Sequence, residues 1–310
     1  MKIVPASFDI LDNLDRESLP VRIEYCGRVC YKSEDKITED SAIPFVRRMA
    51  EHGHNSVLEM AVTTVRVFSK DSSHIDSLFF CQPRYLHIDR FDENNLLVTG
   101  SVRSFREMLI FHPQDQITRA ICARLAKRHA YFFETILPEG GLTADPDIQV
   151  EKVSLAEVDA MEPELKAKHR YIAVKFVVNR AVTHEIVRHR PCSFLQESQR
   201  YCRYGDSKFD GQVTFIKPLF FDEDSEEYKL WYQAMSITEV LYLDLLDTVS
   251  PQAARTVLPN SCKTELIVYT NLSEWKHIFT LRTQKAAEPS MREVMIPLRE
   301  RFQQIFPGIF

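Results

Sequence analysis

The sequence predicts a large globular fold that mixes strands with helices. Three observations carry this. The 310 residues are 45% hydrophobic and 27% charged, an ordinary balance for a soluble chain that buries a core. Short runs rich in β-branched and aromatic residues stand between turn signals. Longer runs repeat apolar residues at helical spacing. The length suits one large domain or two ordinary ones.

In chain order, residues 2–11 read as a first strand. Residues 17–31 read as a helix, with Val21, Tyr25 and Val29 at i+4 spacing. A second helix starts in the polar stretch 38–41, carries Pro44 in its first turns and stops at Gly53. His54, Asn55 and Ser56 then occupy a turn, whose chemistry alone accounts for Asn55 and Ser56. Residues 57–68 alternate and read as a strand. Residues 69–168 hold a strand at 96–99, a helix at 102–110, and a long helix at 116–137. In that long helix Ile117, Ile121, Leu125, Phe132 and Ile136 lie on one core-facing stripe. The segment 138–146, PEGGLTADP, is the best linker-like breaker, and 151–168 reads as an exposed helix or loop.

Residues 171–178 read as a strand, and a helix from Arg180 is stopped by Pro191. Arg188, His189 and Arg190 fall in its last turn, where the helix dipole favours cations. Residues 225–249 form a long helix with Trp231, Met235, Leu241, Leu245 and Val249 along one side. Ser250 and Pro251 look like the N-cap and first position of a short helix ending by Pro259. Residues 266–270 read as a strand. Asn271-Leu-Ser-Glu274 resembles a capping box opening a helix to about Leu281. The last helix covers 289–306, where Pro297 imposes a kink.

Composition excludes several function classes. A net charge of −5 argues against non-specific nucleic-acid binding. Seven cysteines with no CxxC pair suit a reducing compartment, taken as the cytoplasm. The N-terminus lacks a signal-peptide apolar run, and no apolar stretch is long enough to span a bilayer, so no membrane partner is expected. With eight glycines and neither GxGxxG nor GxxxxGK[ST], any nucleotide cofactor must be held without a Gly-rich phosphate loop.

The chemistry concentrates in residues 180–204. This stretch holds five arginines and no lysine, with His184 and His189 among them and Glu185 and Glu197 interrupting the charge. Arginine's planar fork matches phosphate and imide edges, so the cluster points to anionic or planar ligands. Arg188 and Arg190 are about 200° apart on a helix, which suits two ligands, one on each side. Ser198 and Arg200 share one side of an extended chain and suit one phosphate. His184, Glu185 and His189 resemble HExxH, but the second histidine falls at i+5 rather than i+4, and no metal is expected. Cys192 is expected to be a buried, inert thiol.

At this stretch the sequence closely resembles the flavin-dependent thymidylate synthases. Their signature, RHR, seven residues, then Ser, is matched by Arg188-His189-Arg190, PCSFLQE and Ser198, and continues through Arg200 and Tyr201. HGHNSVLE at 52–59, ARTVLP at 254–259 and TNLSEWKHIFTLR at 270–282 resemble further family segments in the right order. Residues 69–168 fall outside the resemblance and look like a folded, mainly helical insertion in a single-domain chain of 1–310.

The resemblance implies an α+β fold, an antiparallel sheet flanked by helices, in a homotetramer with active sites between subunits. It implies reductive methylation of dUMP to dTMP, with methylenetetrahydrofolate as carbon donor and FAD reduced by NADPH as hydride source. By motif position, Ser56, Arg188, His189, Arg190, Gln196, Asn271, Ser273 and His277 would hold FAD. Glu185, Arg188, Gln196, Glu197, Ser198, Gln199, Arg200, Arg255 and Arg282 would hold dUMP. Arg282 would be catalytic, facing the uracil and favouring its ionised form. The chain departs from the commoner pattern at Glu185 and Gln196, where glutamine and glutamate are frequent, at His277, where some members have asparagine, and at Met60. Two alternatives are a related flavoenzyme acting on a modified pyrimidine nucleotide and a non-enzymatic nucleotide- or RNA-binding module.

Overall fold

The computed structural model describes residues 1–138 and 140–310; Glu139, inside the expected linker 138–146, lies outside the described residues. The chain divides into two compact units. One comprises Met1–Leu11, Arg28–Glu34 and Ala173–Phe310, the other Asp12–Gly27 and Asp35–Ile172. Residues 69–168, expected as an insertion, all fall within the second unit.

In chain order the elements begin with β1 (Lys2–Val4), β2 (Ser7–Ile10), α1 (Leu19–Tyr31), α2 (Ala42–Glu51), β3 (Val62–Ser69), α3 (Ser72–Phe80) and β4 (Leu86–Arg90). β5 (Asn95–Ser101), α4 (Val102–Phe111), α5 (Gln116–Ala126), β6 (Ile148–Val153), α6 (Leu155–Asp159) and α7 (Pro163–His169) follow. Next come β7 (Tyr171–Asn179), α8 (Arg180–Ile186), β8 (Ser193–Gln196), β9 (Thr214–Ile216) and α9 (Glu226–Thr248). The chain ends with α10 (Pro251–Ala254), β10 (Lys263–Asn271), α11 (Leu272–Arg282) and α12 (Pro289–Ile305). This is the expected α+β class. No helix of the described residues is long and apolar enough to cross a membrane.

The first unit is built on a four-stranded sheet in the order β2-β7-β10-β8. β2 pairs antiparallel with β7, and β8 antiparallel with β10. β1 and β9 pair in parallel beside it as a two-stranded sheet. The sheet's inner strands are the most apolar: Ile172, Val174, Phe176 and Val178 on β7 and Leu266, Ile267 and Val268 on β10 are all fully buried. Each such side chain contributes roughly 1.5–3 kcal/mol. α11 and α12 cover the sheet through an aromatic cluster. Trp275 stacks on Phe279 at 5.6 Å between ring centroids, and both meet Phe302, at 5.3 and 5.1 Å.

Two neighbouring strands run straight into helices, and this arrangement positions the site. β7 passes into α8 through Asn179, whose side chain accepts from Val182 N at 2.9 Å. β10 passes into α11 through Asn271, whose side chain accepts from Glu274 N at 2.8 Å. Each asparagine satisfies an otherwise orphaned amide of the first turn, fixing the helix start at the strand end.

The second unit contains a four-stranded antiparallel sheet, β4-β5-β3-β6, packed with α3, α4 and α5. Much of its polar interior is paired, although the buried Asn55 Oδ1 and Asp115 Oδ2 have no hydrogen-bond partner among the described residues. The buried Thr64 and Thr99 hydroxyls meet at 2.7 Å, and His169 spans Thr99 at 2.7 Å and Asp89 at 2.9 Å. The buried Arg170 guanidinium reaches Asp12 at 2.9 Å, Asp15 at 2.8 Å and Asp159 at 3.0 Å. Three of this sheet's strands come from the stretch expected to be mainly helical.

Several expected elements are redrawn. The first strand splits into β1 and β2 at Pro5, which has no amide to donate. Residues 57–60 belong to a 3-10 helix, Asn55–Met60, rather than to the following strand. The helix at 116–137 stops at Ala126 and resumes as a 3-10 turn, Ala130–Phe132, a break that buries Phe132 and Phe133 completely. Residues 151–153 are strand, with Glu151 opposite Arg66. The buried stripe of α9 is Met235, Tyr242 and Leu246, leaving Leu241 half exposed.

Candidate active site

The Arg-His-Arg run follows α8 rather than ending it. The helix stops at Ile186, and Arg188 N and His189 N bond back three residues, to Glu185 O at 3.3 Å and Ile186 O at 3.1 Å. The tightened turn buries His189 and leaves Arg188 and Arg190 exposed on either side. Facing it is α11, whose inner face (Leu272, Trp275, Ile278, Phe279) packs on the sheet and whose outer face carries His277 and Arg282. Between them opens a cleft of about 800 Å³.

Glu185, Arg188, His189, Arg190, His277 and Arg282 all line this cleft. The two arginines expected to serve opposite sides therefore address one space. Among the described residues, the guanidinium groups of Arg188 and Arg190 have no hydrogen-bond or ion-pair partner, so both are available to a ligand. Arg282 is held on three acceptors. Its Nε donates to His189 Nε2 at 3.0 Å, Nη1 to Glu185 Oε2 at 2.7 Å, and Nη2 to the Glu185 carbonyl at 3.0 Å. Accepting at Nε2 assigns the neutral His189 proton to Nδ1, which faces Glu274 Oε1 at 3.6 Å. His277 meets the His189 ring edge-on at 5.9 Å.

Glu274 is the residue that sequence reasoning read only as half of a capping box. Asn271 forms its half, and the Glu274 side chain lines the cleft. The signal was present, because 274 and 277 are i,i+3 on one helix face. His189, Glu274 and His277 also offer ligand atoms within 4.8 Å of one another. His189 Nε2 already accepts from Arg282, and Arg188 and Arg190 line the same cleft.

The other expected ligand residues lie elsewhere. Gln196 ends β8, where Nε2 donates to Thr183 Oγ1 at 3.1 Å and Thr264 Oγ1 at 3.2 Å. Glu197 is buried, with Oε1 accepting from Tyr204 at 2.8 Å and Oε2 from Lys263 Nζ at 2.8 Å. Residues 198–202 make a helical turn, with Cys202 N donating to Ser198 O at 2.8 Å, so Ser198 and Arg200 are not on one side of an extended strand. Arg200 is exposed and its Nε donates to Gln252 Oε1 at 3.3 Å, close in sequence to Arg255. Gln199 is buried, and its Nε2 lies 3.5 Å from Cys262 Sγ. Ser273 is exposed on the first turn of α11, and Asn271 is spent as its cap. Ser56 belongs to the second unit, exposed on the 3-10 helix Asn55–Met60. Cys192, expected to be buried, is only partly so, yet desolvation, with Glu274 beside it, pushes the thiol up to about 12.

Comparison with known proteins bears on this half of the chain. The family model described as "Thymidylate synthase complementing protein" matches residues 161–308. The flavin-dependent thymidylate synthase of Corynebacterium glutamicum is 30% identical over 149 residues, covering 43% of this chain and 57% of that protein. The one from Pyrococcus furiosus is 38% identical over 117 residues, covering 37% of this chain and 47% of that protein. The chain thus spans about half the length of the curated relatives it matches. Among solved structures, a UMP/dUMP methylase, PolB from Streptomyces cacaoi bound with 5-Br UMP, aligns with a TM-score of 0.40 at 20% identity, over 46% of this chain and 74% of that chain. Residues 161–308, which hold the whole cleft, carry the match to the thymidylate synthase complementing protein model, and the relatives similar to this half of the chain are flavin-dependent thymidylate synthases.

Proposed function

We propose that this protein is a flavin-dependent thymidylate synthase that converts dUMP to dTMP, with methylenetetrahydrofolate as carbon donor and FAD reduced by NADPH. The observation that carries the reading is the cleft itself, where two unpaired guanidinium groups, Arg188 and Arg190, flank a buried histidine and face the α11 wall. This donor set fits a flavin dinucleotide. Its pyrophosphate suits paired guanidinium forks. FAD, when bound, supplies the hydride chemistry that no side chain of this protein can perform.

The protein's own residues bind and orient. Arg188 and Arg190 would hold the cofactor, with His189, His277, Ser273 and Asn271 on the same side. Arg282 would present its remaining N–H groups to a pyrimidine carbonyl, where a fixed guanidinium stabilises developing negative charge without giving up a proton. His189 keeps that guanidinium oriented. Ser198, Arg200 and Arg255 would bind the nucleotide phosphate. The reading includes a homotetramer in which neighbouring copies complete each site.

The test is tritium release from ring-tritiated dUMP. Release that requires both NADPH and methylenetetrahydrofolate is the expected result. Protein loaded with FAD that releases no tritium from dUMP, yet turns over a 5-substituted pyrimidine nucleotide, would move the assignment to a related flavoenzyme.

A further inference from the structure

Three side chains of the cleft stand in series: Glu274, His189 and Arg282. Arg282 Nε donates to His189 Nε2 at 3.0 Å, and its terminal nitrogens donate to Glu185, at 2.7 Å to Oε2 and 3.0 Å to the carbonyl. Each terminal nitrogen of a guanidinium carries a second N–H, which stays available to a ligand. The Nε contact helps to fix where those N–H groups point. That contact exists only while His189 Nε2 is bare. With the ring proton on Nε2, donor would face donor.

His189 therefore needs a group that keeps its proton on Nδ1. Glu274 Oε1 lies 3.6 Å from Nδ1, and His189 is the only ion-pair partner of that carboxylate among the described residues. Both side chains are largely buried, 16% exposed for Glu274 and 5% for His189. The backbone sets their approach. Asn271 Oδ1 accepts from Glu274 N at 2.8 Å, which fixes the first turn of α11. His189 N donates to Ile186 O at 3.1 Å, which fixes the turn after α8. His277 meets the His189 ring edge-on at 5.9 Å and makes no hydrogen bond to it among the described residues.

Resting on the role given to Arg282 under Proposed function, we infer that Glu274 is a positioning residue, which holds the His189 proton on Nδ1 and so keeps Nε2 an acceptor that aims Arg282 into the cleft. A carboxylate facing Nδ1 selects that tautomer because it attracts the N–H and repels the ring's lone pair. Its effect on the reaction runs through His189.

Histidine-selective ¹⁵N NMR of the flavin-loaded protein reads the tautomer, with His189 assigned as the signal missing from His189→Asn. Wild type shows Nδ1 protonated and Nε2 bare, and Glu274→Ala shows the proton shared between the two nitrogens. Glu274→Gln keeps the shape of the side chain but offers an N–H as well as an oxygen, so it too admits both tautomers. Turnover gives a second readout. Glu274→Ala lowers kcat for tritium release from dUMP about tenfold, the worth of one hydrogen bond to a charged group. KM for dUMP stays within about twofold, because the loss falls on the transition state. Formate, small enough for the space the carboxylate leaves, restores kcat, and chloride at the same ionic strength does not. An Nε2-protonated wild type, an unchanged tautomer in both variants, or a kcat loss that formate leaves unrestored overturns the inference. If wild type releases no tritium from dUMP, the assigned reaction falls, whereas the NMR comparison still decides the role of Glu274.

Discussion

Removing the Glu197 carboxylate should destabilise the first unit far more than it disturbs any ligand. Glu197 sits behind the signature turn with both oxygens occupied, by the Tyr204 hydroxyl and the Lys263 ammonium, each at 2.8 Å. Tyr204 and Glu197 are both buried. Glu197→Ala leaves a buried hydroxyl without an acceptor, at about 1–3 kcal/mol. It also breaks a buried ion pair by deleting one partner, at about 3–5 kcal/mol. Lys263 keeps Glu265 at 2.7 Å, and the two costs overlap, so the expected loss is about 4 kcal/mol. With a urea dependence of about 3 kcal/mol per molar, the unfolding midpoint drops by more than about 1 M. Glu197→Gln retains an acceptor for Tyr204 and should lose about half as much. Equilibrium urea unfolding of the three proteins reads this directly. A Glu197→Ala midpoint that differs from wild type by less than about 0.3 M would refute the structural role.

Further expectations follow from the same geometry. Burial alone pushes the Glu265 carboxyl up, but Lys263 and Lys32 hold it down to about 2. A depressed carboxyl contributes its stability above its ordinary value of 4.5 and loses it as pH falls towards about 2. Glu265→Gln should flatten that acid limb in a pH series of unfolding midpoints, and parallel limbs would contradict it. Cys192, pushed up to about 12, is a thiol at neutral pH, so Cys192→Ser should keep turnover; its loss would restore a nucleophile role. Arg282→Ala should lower kcat by about 10²–10³ while dUMP still docks. Arg200→Ala should mainly raise KM for dUMP, by about 10- to 100-fold. Near-normal turnover of Arg282→Ala would remove it from the chemistry.

The signature run was legible in the sequence because its residue types announce their chemistry: clustered arginines, a histidine between them, and a second arginine-bearing helix opened by Asn271. The helices α8 and α11 were also legible, α11 from its asparagine cap and α8 from the end of the strand before Arg180; the Asn179 cap emerges only in the structure. What the sequence hid was set by long-range packing. Nothing local says that Glu197 spends its oxygens on Tyr204 and Lys263, or that Glu185 pairs with Arg282 across 97 residues. The break after Ala126 is a tertiary override as well: helical periodicity continues through Ile136, but burying Phe132 and Phe133 turns the chain. The sheet of the second unit was missed where β6 carries Glu151 and Lys152, since a strand with one exposed charged face looks like a loop.

The most direct test of the central claim, that the Arg188–Arg190 cleft holds a flavin, is the visible absorbance of the purified protein after incubation with FAD and gel filtration. Wild type should elute yellow, with one flavin band per protomer equivalent, and a protein with both Arg188→Ala and Arg190→Ala should elute colourless at an unchanged unfolding midpoint. A colourless wild type, or a double variant that retains flavin as wild type does, would contradict the account.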